Sequence, residues 1–279
     1  GRYGETAKVN IRAQYGFSQM VDDQQEMMNS AQYVKFRDII GVPVTDEVRN
    51  LVERYNINTN WREIIFNGSA PTYTLDASIQ GGTANTSYYV SVNHHEQKGI
   101  IEQSGMRRES IRFNFDSKIK NWLKVGANMS YGHFNSNSLS EGGDNGSVFA
   151  TVDIAPIYPM YMRDANGNIM YDQTSRMIAY DYGSGKVAPF RAFMSGANPI
   201  SDARLNTANS EGNTFNGTGF AEIQLPYGFK FTSINNVYLN ESRSTGTTNP
   251  YFGQYAASNG MVNKEHDRSW SYNYQQRIN

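Results

Sequence analysis

The stretch that decides the fold is AKVNIRAQYGFSQ, residues 7–19, in which apolar and polar side chains alternate up to residue 18. The odd positions from 7 to 17 carry Ala, Val, Ile, Tyr or Phe, and the even positions carry only polar residues or glycine. Because successive side chains of a strand point to opposite faces, this period predicts a strand with one apolar and one polar face. Seven further stretches repeat the pattern, at about residues 72–80, 87–93, 107–117, 122–134, 213–225, 229–240 and 269–274.

Short and long connections alternate between these strands. Short turns such as 81–86 and 226–228 follow one strand, and a long loop follows the next, the long loops lying at residues 20–71, 94–106, 135–212 and 241–268. Antiparallel neighbours then place all short turns at one end of the sheet and all long loops at the other, which is the layout of an outer-membrane barrel. The polar faces carry mainly Asn, Ser, Thr, Gln and Gly, which suits a water-filled lumen.

These patterns predict an all-β, antiparallel up-and-down meander of about eight strands. We interpret it as an incomplete segment of a large transmembrane barrel, because the interior of an eight-stranded barrel is filled by side chains and leaves no room for a polar lumen. A secreted soluble β-sandwich, such as an adhesin or a carbohydrate-binding module, is the alternative. In that fold the apolar faces would pack against each other, and in the barrel they would face lipid.

Composition excludes several classes of protein. The 279 residues carry 25 basic and 26 acidic side chains, whereas a nucleic-acid-binding domain shows a basic excess. The absence of cysteine excludes disulfides, zinc–thiolate sites and cysteine nucleophiles. The sequence contains no run of 18 apolar residues, so it predicts no transmembrane helix. A strand of about 9–11 residues is nevertheless long enough to cross a membrane. The opening Gly-Arg-Tyr-Gly lacks a signal peptide, and we expect an excerpt of a longer protein.

The first long loop is predicted to hold a short helical insertion. Asp23 with Glu26 resembles a capping box, and Thr45 begins a second helix, whose apolar stripe at positions 48, 51, 52 and 55 indicates a packing surface. The second long loop contains an apolar, proline-containing segment at residues 154–161. That segment could contact a solute or partner, or pack on its own loop.

Residues with possible metal or catalytic chemistry form no convincing site. His94 and His95 are adjacent, so a strand points them to opposite faces and makes them a poor chelate. Residues 164–168 (DANGN) resemble the start of an EF-hand but lack its sixth-position glycine and twelfth-position glutamate, which favours an Asx turn. Residues 141–146 could hold calcium, although a loop tip is the favoured interpretation. We therefore predict a non-enzyme without catalytic, cofactor-binding or metal residues, and we leave the substrate-binding residues unassigned.

Several segments together resemble one known family. Residues 7–19 resemble the first barrel strand of the SusC/RagA family of TonB-linked outer-membrane transporters. NTNWREIIF (58–66) is similar to the segment that returns the first extracellular loop to the second strand. LDASIQGGTANTSYYVSVNHHEQKGII (75–101) and RRESIRFNFDSKIKNWLKVGANMSY (107–131) resemble the next two hairpins, and LPYGFKF (225–231) resembles a later periplasmic turn.

The resemblance implies a longer protein with a signal peptide, a TonB-contacting segment, a plug and a barrel of about 22 strands. Residues 1–279 would be one partial domain, the N-terminal part of that barrel without the plug. The resemblance further implies energy-dependent import of a large nutrient, a glycan or a peptide, across the bacterial outer membrane. The implied partners are a SusD-like surface lipoprotein, TonB acting through the plug and the surrounding lipid bilayer, with no cofactor and no nucleic acid.

Overall fold

The computed structural model describes residues 3–21, 26–139, 147–164, 166–183, 194, 196–253 and 255–279, with no side-chain description for 147–149. Eight strands pair antiparallel in chain order as one sheet, which confirms the predicted meander. Within the described residues the sheet is not closed by pairing of its first and last strands. The strands are β1 Lys8–Ser18, β2 Ala70–Gly82, β3 Thr86–Lys98, β4 Gly105–Lys120, β5 Leu123–Ser138, β6 Thr207–Gln224, β7 Lys230–Thr248 and β8 Met261–Ile278.

The strands extend well beyond the alternating stretches, mainly toward the long connections. The strand predicted at 87–93 runs from Thr86 to Lys98, and the strand predicted at 269–274 runs from Met261 to Ile278. Their outer parts carry polar side chains on both faces, so the period of two disappears while backbone pairing continues. The connection predicted at 94–106 therefore shrinks to the short turn between β3 and β4.

The turn between β6 and β7 shows how the short connections close. Pro226 starts it, and both Tyr227 (φ 64°) and Gly228 (φ 85°) take the left-handed conformation. Glycine adopts this conformation without steric cost, which explains the Pro-x-Gly sequence. The turn aligns Gln224 with Lys230 and so fixes the register of two long strands.

Helices lie in the two longest connections: α1 Ser30–Ile39, α2 Asp46–Arg54, α3 Trp61–Ile65, α4 Ser147–Asp153 and α5 Pro199–Leu205. Thr45 caps α2 as predicted, accepting a hydrogen bond from the Val48 amide. The cap of α1 is Asn29, which forms a capping box with Gln32. The predicted start at Asp23 lies outside the described residues, and the first helix that they contain begins later.

The buried apolar core lies in the connections and not between strands. Among the described residues, every buried hydrophobic side chain except Ala70 lies outside the strands. On the strands, Ile11 is 73% exposed and Leu75 is 50% exposed, and neither Val125 nor Leu239 is buried. The apolar strand faces thus do not meet in a dry interior, as a soluble sandwich requires. None of the helices in the described ranges is long and apolar enough to cross a membrane.

Candidate functional site

The strand register sorts side chains into an apolar face and a polar face. We call the face that carries Ile11 the apolar face and the opposite face the polar face. Because directly paired residues point to the same side, a row of partners can be followed across all eight strands. On the apolar face one such row consists of Ile11, Ala77, Val92, Ile111, Tyr131, Phe215, Leu239 and Trp270.

The neighbouring row on the polar face has a different chemistry, reading Asn10, Ser78, Ser91, Arg112, Ser130, Asn216, Tyr238 and Ser271. Side chains of this face hydrogen-bond across strands. Asn93 donates to Asp76 at 2.6 Å, and Thr214 donates to Asn240 at 3.0 Å. The polar face is therefore a hydroxyl- and amide-rich surface that water or a polar solute can wet.

The two adjacent histidines lie on different faces, as predicted. His95 Nδ1 lies 2.9 Å from the hydroxyl of Thr74 on the polar face. His94 Nδ1 lies 3.3 Å from a carboxylate oxygen of Glu109 on the apolar face. In the part of the chain that the structure describes, no three His, Asp or Glu side chains are grouped so that they could hold a metal ion.

The long connections pack into a second unit, which we call the loop cap; it comprises α1–α5, residues 154–161 and residues 249–252. Trp61, 2% exposed, donates from its indole nitrogen to the Ala155 carbonyl at 3.1 Å. Ser30 Oγ and the Thr59 amide both donate to the Pro156 carbonyl, at 3.1 and 2.9 Å. Of the two interpretations left open for residues 154–161, the structure thus shows packing on the loops. The α2 stripe also packs here, as predicted.

The β3–β4 turn ties the loop cap to the sheet. The Glu102 amide donates to the Ile65 carbonyl at 2.8 Å, and its carboxylate accepts from Arg204 Nε at 3.0 Å. The Asn67 amide donates to the Ile100 carbonyl at 2.6 Å. Three connections that are distant in sequence therefore converge over one end of the strands.

A buried polar network fixes the second half of the cap. Asn198 is fully buried, and its Nδ2 donates to the carbonyls of Met160 and Asp181 at 2.9 Å each. The Tyr182 hydroxyl donates to Asp202 Oδ1 at 2.8 Å. Burial raises the pKa of Asp202 to about 6 and raises the pKa of Tyr182 as well. These groups hold loop backbone in place and are arranged for structure, since each pairs with a protein atom.

The predicted Asx turn is present. Asp164 Oδ1 accepts the amides of Asn166 and Asn168 at 2.8 and 2.9 Å. These hydrogen bonds, led by that from Asn168, lower the pKa of the Asp164 carboxyl. The calcium candidate at residues 141–146 lies outside the described residues.

Two cavities with charged side chains open near the loop cap in the described part of the chain. One, of about 470 Å³, lies between α1 and α2 and is lined by apolar side chains such as Val52 and by charged groups, including the Arg49–Asp38 ion pair at 2.9 Å. The other, of about 550 Å³, lies at the β3–β4 turn and includes Lys98, Arg107 and Asn135. Local sequence patterns gave no signal for either cavity, because each is lined by residues from separate elements.

Known proteins resemble this chain in sequence and in fold. TonB-dependent receptor P26 of Formosa agariphila is 30% identical over 165 residues, which are 59% of this chain and 14% of that receptor. TonB-dependent receptor SusC of Bacteroides thetaiotaomicron is 25% identical over 235 residues, 77% of this chain and 22% of SusC. The RagAB peptide importer, in its closed-closed and open-open states, superposes on the whole chain with TM-scores of 0.70 and 0.71 at 22% identity.

The eight strands have the fold of a segment of the RagAB importer's barrel, and their sequence is similar to that of TonB-dependent receptors. The matched part spans 14% and 22% of the two curated relatives and about a third of the RagAB chain. No model of a known protein family matches the sequence. TonB-dependent receptors and SusC are outer-membrane proteins. In an outer-membrane barrel the apolar strand face lies toward lipid and the polar face toward the lumen.

Proposed function

We propose that this chain forms part of the wall and outer mouth of a TonB-dependent transporter that imports a large nutrient, a glycan or a peptide. The observation that carries the proposal is the division of the sheet. One face is apolar and exposed or half-buried across the eight strands, the other is mainly polar, and the buried core of the described residues lies in the loops. A sheet of this kind separates lipid from a wet channel.

The polar face suits passage of a large polar solute. Its amides and hydroxyls offer both donors and acceptors, so they can exchange hydrogen bonds with sugar hydroxyls or peptide groups along a path. Arg112 sits among them, directly paired with Ser91 and Ser130, and adds a positive charge to the channel wall. Binding at many weak positions permits release, which transport requires.

The partners proposed are those of the relatives. A SusD-like lipoprotein would sit on the loop cap, TonB would act through a plug, and residues 1–279 would form one partial barrel domain. The similarity of the chain to two TonB-dependent receptors and to the RagAB peptide importer supports this assignment. The similar proteins are receptors or transporters by name, and no covalent chemistry is proposed for this chain. An adhesin-type sandwich is not favoured, because the apolar faces do not meet.

The experiment measures uptake by the full-length transporter in its host. Cells receive fluorescent oligosaccharides or peptides, with and without a functional TonB, and the tagged protein is purified to identify a bound lipoprotein. We expect TonB-dependent uptake and co-purification of a SusD-like partner. Arg112→Glu, on the polar face, should change uptake several-fold at unchanged surface level. Phe113→Leu, the next residue but on the apolar face, should not. TonB-independent uptake, or equal effects of both variants, would contradict the proposal.

A further inference from the structure

The polar face contains an uncharged area on three neighbouring strands, which we call the neutral panel. It consists of the even-numbered residues of 128–136 on β5, 210–218 on β6 and 236–244 on β7, which the register places side by side. These fifteen positions, five on each strand, carry asparagine, serine, threonine, glycine, one phenylalanine and one tyrosine, and no charged side chain. Charged side chains border the panel on the same face, on β4 (Arg108, Arg112), on β8 (Glu265, Asp267) and toward the short turns (Lys124, Glu222, Lys230).

Gly132 forms the floor of a hollow in the neutral panel. A Cβ atom at this position would meet no heavy atom nearer than the Glu109 carbonyl oxygen, at 3.9 Å. Gly132 does not have the positive φ that favours glycine, so its backbone does not require one. Glycine inside a strand often marks a place where a ligand approaches the backbone closely. The hollow is bounded by three hydroxyl groups and one aromatic ring, which belong to Ser110, Ser130, Thr214 and Phe134.

The ring of Phe134 lies down on the sheet beside this hollow. It covers Gly212, its direct partner on β6, where a Cβ atom would come within 2.5 Å of Phe134 Cε1. The ring is only half-buried, so part of it stays open to the lumen. In the described part of the chain no cation or second ring is stacked on Phe134, whereas Lys124 lies 5.2 Å from the ring centre of Phe220. The negative face of an aromatic ring attracts the C–H groups on the flat side of a sugar ring.

Polar groups of the panel are held in place by hydrogen bonds among themselves. The Thr214 hydroxyl donates to Asn240 Oδ1 at 3.0 Å, which leaves the hydroxyl oxygen as an acceptor and the Asn240 amide as a donor. Asn236 Nδ2 donates to Asn216 Oδ1 and to Thr218 Oγ1, at 2.8 Å each. The Asn216 amide nitrogen then remains as a donor. The panel therefore offers oriented donors and acceptors side by side.

Tyr238 supplies a second ring at the other end of the panel. It is exposed and pairs directly with Asn216. Two strand spacings and four residues separate it from Phe134, or ~17 Å at ~4.8 Å per strand and ~3.4 Å per residue. Thr214 lies on the diagonal between the two rings. Rings at both ends with hydroxyls and amides between them form successive positions for a linear chain of sugars.

The chemistry of the neutral panel matches an uncharged oligosaccharide better than a peptide. Every sugar hydroxyl both donates and accepts hydrogen bonds, as the hydroxyl and amide groups of the panel do. A peptide brings charged termini and ionisable side chains, and an ion that leaves water without a partner of opposite charge loses solvation energy. The charged side chains that such a peptide needs lie on β4 and β8, outside the panel.

We propose that the neutral panel is a binding surface for an uncharged oligosaccharide. One sugar ring occupies the hollow over Gly132 and lies against Phe134. Thr214, Asn216 and Asn240 exchange hydrogen bonds with the sugar hydroxyls. This inference rests on the proposed transport function and names the substrate class for the path along the polar face.

The test titrates the purified full-length transporter in detergent with neutral oligosaccharides from α-glucan, β-glucan, mannan and fructan, with oligogalacturonates and with peptides of mixed sequence. We expect a neutral oligosaccharide to bind, and Gly132→Leu to weaken that binding about tenfold or more, because leucine fills the hollow. Gly16→Leu is the matched control: Gly16 also lies on the polar face with open space around it, but on β1, outside the panel. It should bind as the unmodified protein does. Phe134→Leu should weaken binding, and Phe134→Tyr, which keeps the ring, should retain most of it.

Three results would overturn the inference: no neutral oligosaccharide binds, peptides or oligogalacturonates bind as tightly as the neutral sugars, or Gly132→Leu and Gly16→Leu have equal effects. If Phe134→Leu does not fold, the two leucine variants at glycine positions still decide the question. Peptide binding that Gly132→Leu weakens would refute the sugar assignment and leave the transport proposal standing. The transport proposal itself fails only in the uptake experiment with and without TonB, so the two failures are distinguishable.

Discussion

Replacement of Ile79 by arginine tests the direction of the apolar face. Ile79 lies on β2, is 38% exposed, and pairs directly with Val9 and Val90, so its surroundings on that face are aliphatic. Ser78, its neighbour in sequence, points to the polar face between Asn10 and Ser91. The two positions share backbone environment and differ in the face to which the side chain points.

The depth of Ile79 sets the size of the effect. Tyr73, whose ring lies 5.2 Å from that of Tyr15, is six residues toward the loop cap, and the 83–85 turn begins four residues in the other direction. At ~3.4 Å per residue and a strand tilt of ~35°, Ile79 lies ~17 Å below Tyr73 and ~11 Å above the turn. A lipid-facing apolar band is ~25 Å tall, so Ile79 lies near its middle, where an arginine costs ~2–4 kcal/mol.

The assay is equilibrium unfolding of the full-length barrel in lipid vesicles with guanidinium. We expect Ile79→Arg to lower the free energy of unfolding by ~2–4 kcal/mol and Ser78→Arg to change it by less than ~1 kcal/mol, because the second arginine remains hydrated. Equal losses in the two variants would show that lipid does not cover the apolar face, and the orientation of the sheet would then be wrong.

Two further predictions concern the loop cap, each checked by protease protection of the cap in the full-length protein. Trp61→Ala should destabilise the cap by ~3–5 kcal/mol because it empties a buried site, whereas Trp61→Phe, which loses mainly the hydrogen bond to Ala155, should cost ~1 kcal/mol. Burial raises the pKa of Asp202 from 3.8 to about 6, so the folded cap favours the protonated carboxyl. The contribution of Asp202 to cap stability should be largest below about pH 4 and fall by up to ~3 kcal/mol as the pH rises through 6. Asp202→Asn should abolish that fall, and an equal loss of stability between pH 5 and pH 8 in the two proteins would contradict the prediction.

The existence of the strands could be predicted from the sequence, but the positions of their ends could not. Alternation is visible only where lipid faces one side and water the other. In residues 261–268 of β8, polar side chains occupy nearly every position, because both faces are wet there, and periodicity therefore gives no signal. The backbone still pairs with β7 up to Met261.

The loop cap was predictable only in its local features. Thr45 and the stripe after it predicted α2, since a cap and a helical period are encoded by neighbouring residues. The five-residue helix α3 is too short to show a stripe. The hydrogen bond from Trp61 to Ala155 joins residues 94 positions apart, and no local pattern encodes such a contact. The polar boundary of the apolar face is similar, because Glu109 and Glu241 share a row only once the register of the strands between them is known.

The apolar zone reaches further toward the loop cap at one edge of the sheet than elsewhere. On β1 it extends as far as Phe17, whereas on β8 it ends at Trp270, which shares a register row with Ile11. From β3 to β8 the boundary lies in one place, between the Ile11 row and the next row toward the cap, which holds His94 on β3 and Arg268 on β8. On the other side of the Ile11 row, the row of Val9 holds an apolar side chain or glycine on every strand and ends with Tyr272 on β8.

A lipid-covered face requires such a boundary, because an arginine or lysine costs ~2–4 kcal/mol at the bilayer midplane and ~0–1 kcal/mol near the interface. A sheet face covered by water has no reason to confine its charged side chains to one end of the strands. Register and side-chain identity therefore support the membrane orientation independently of any relative.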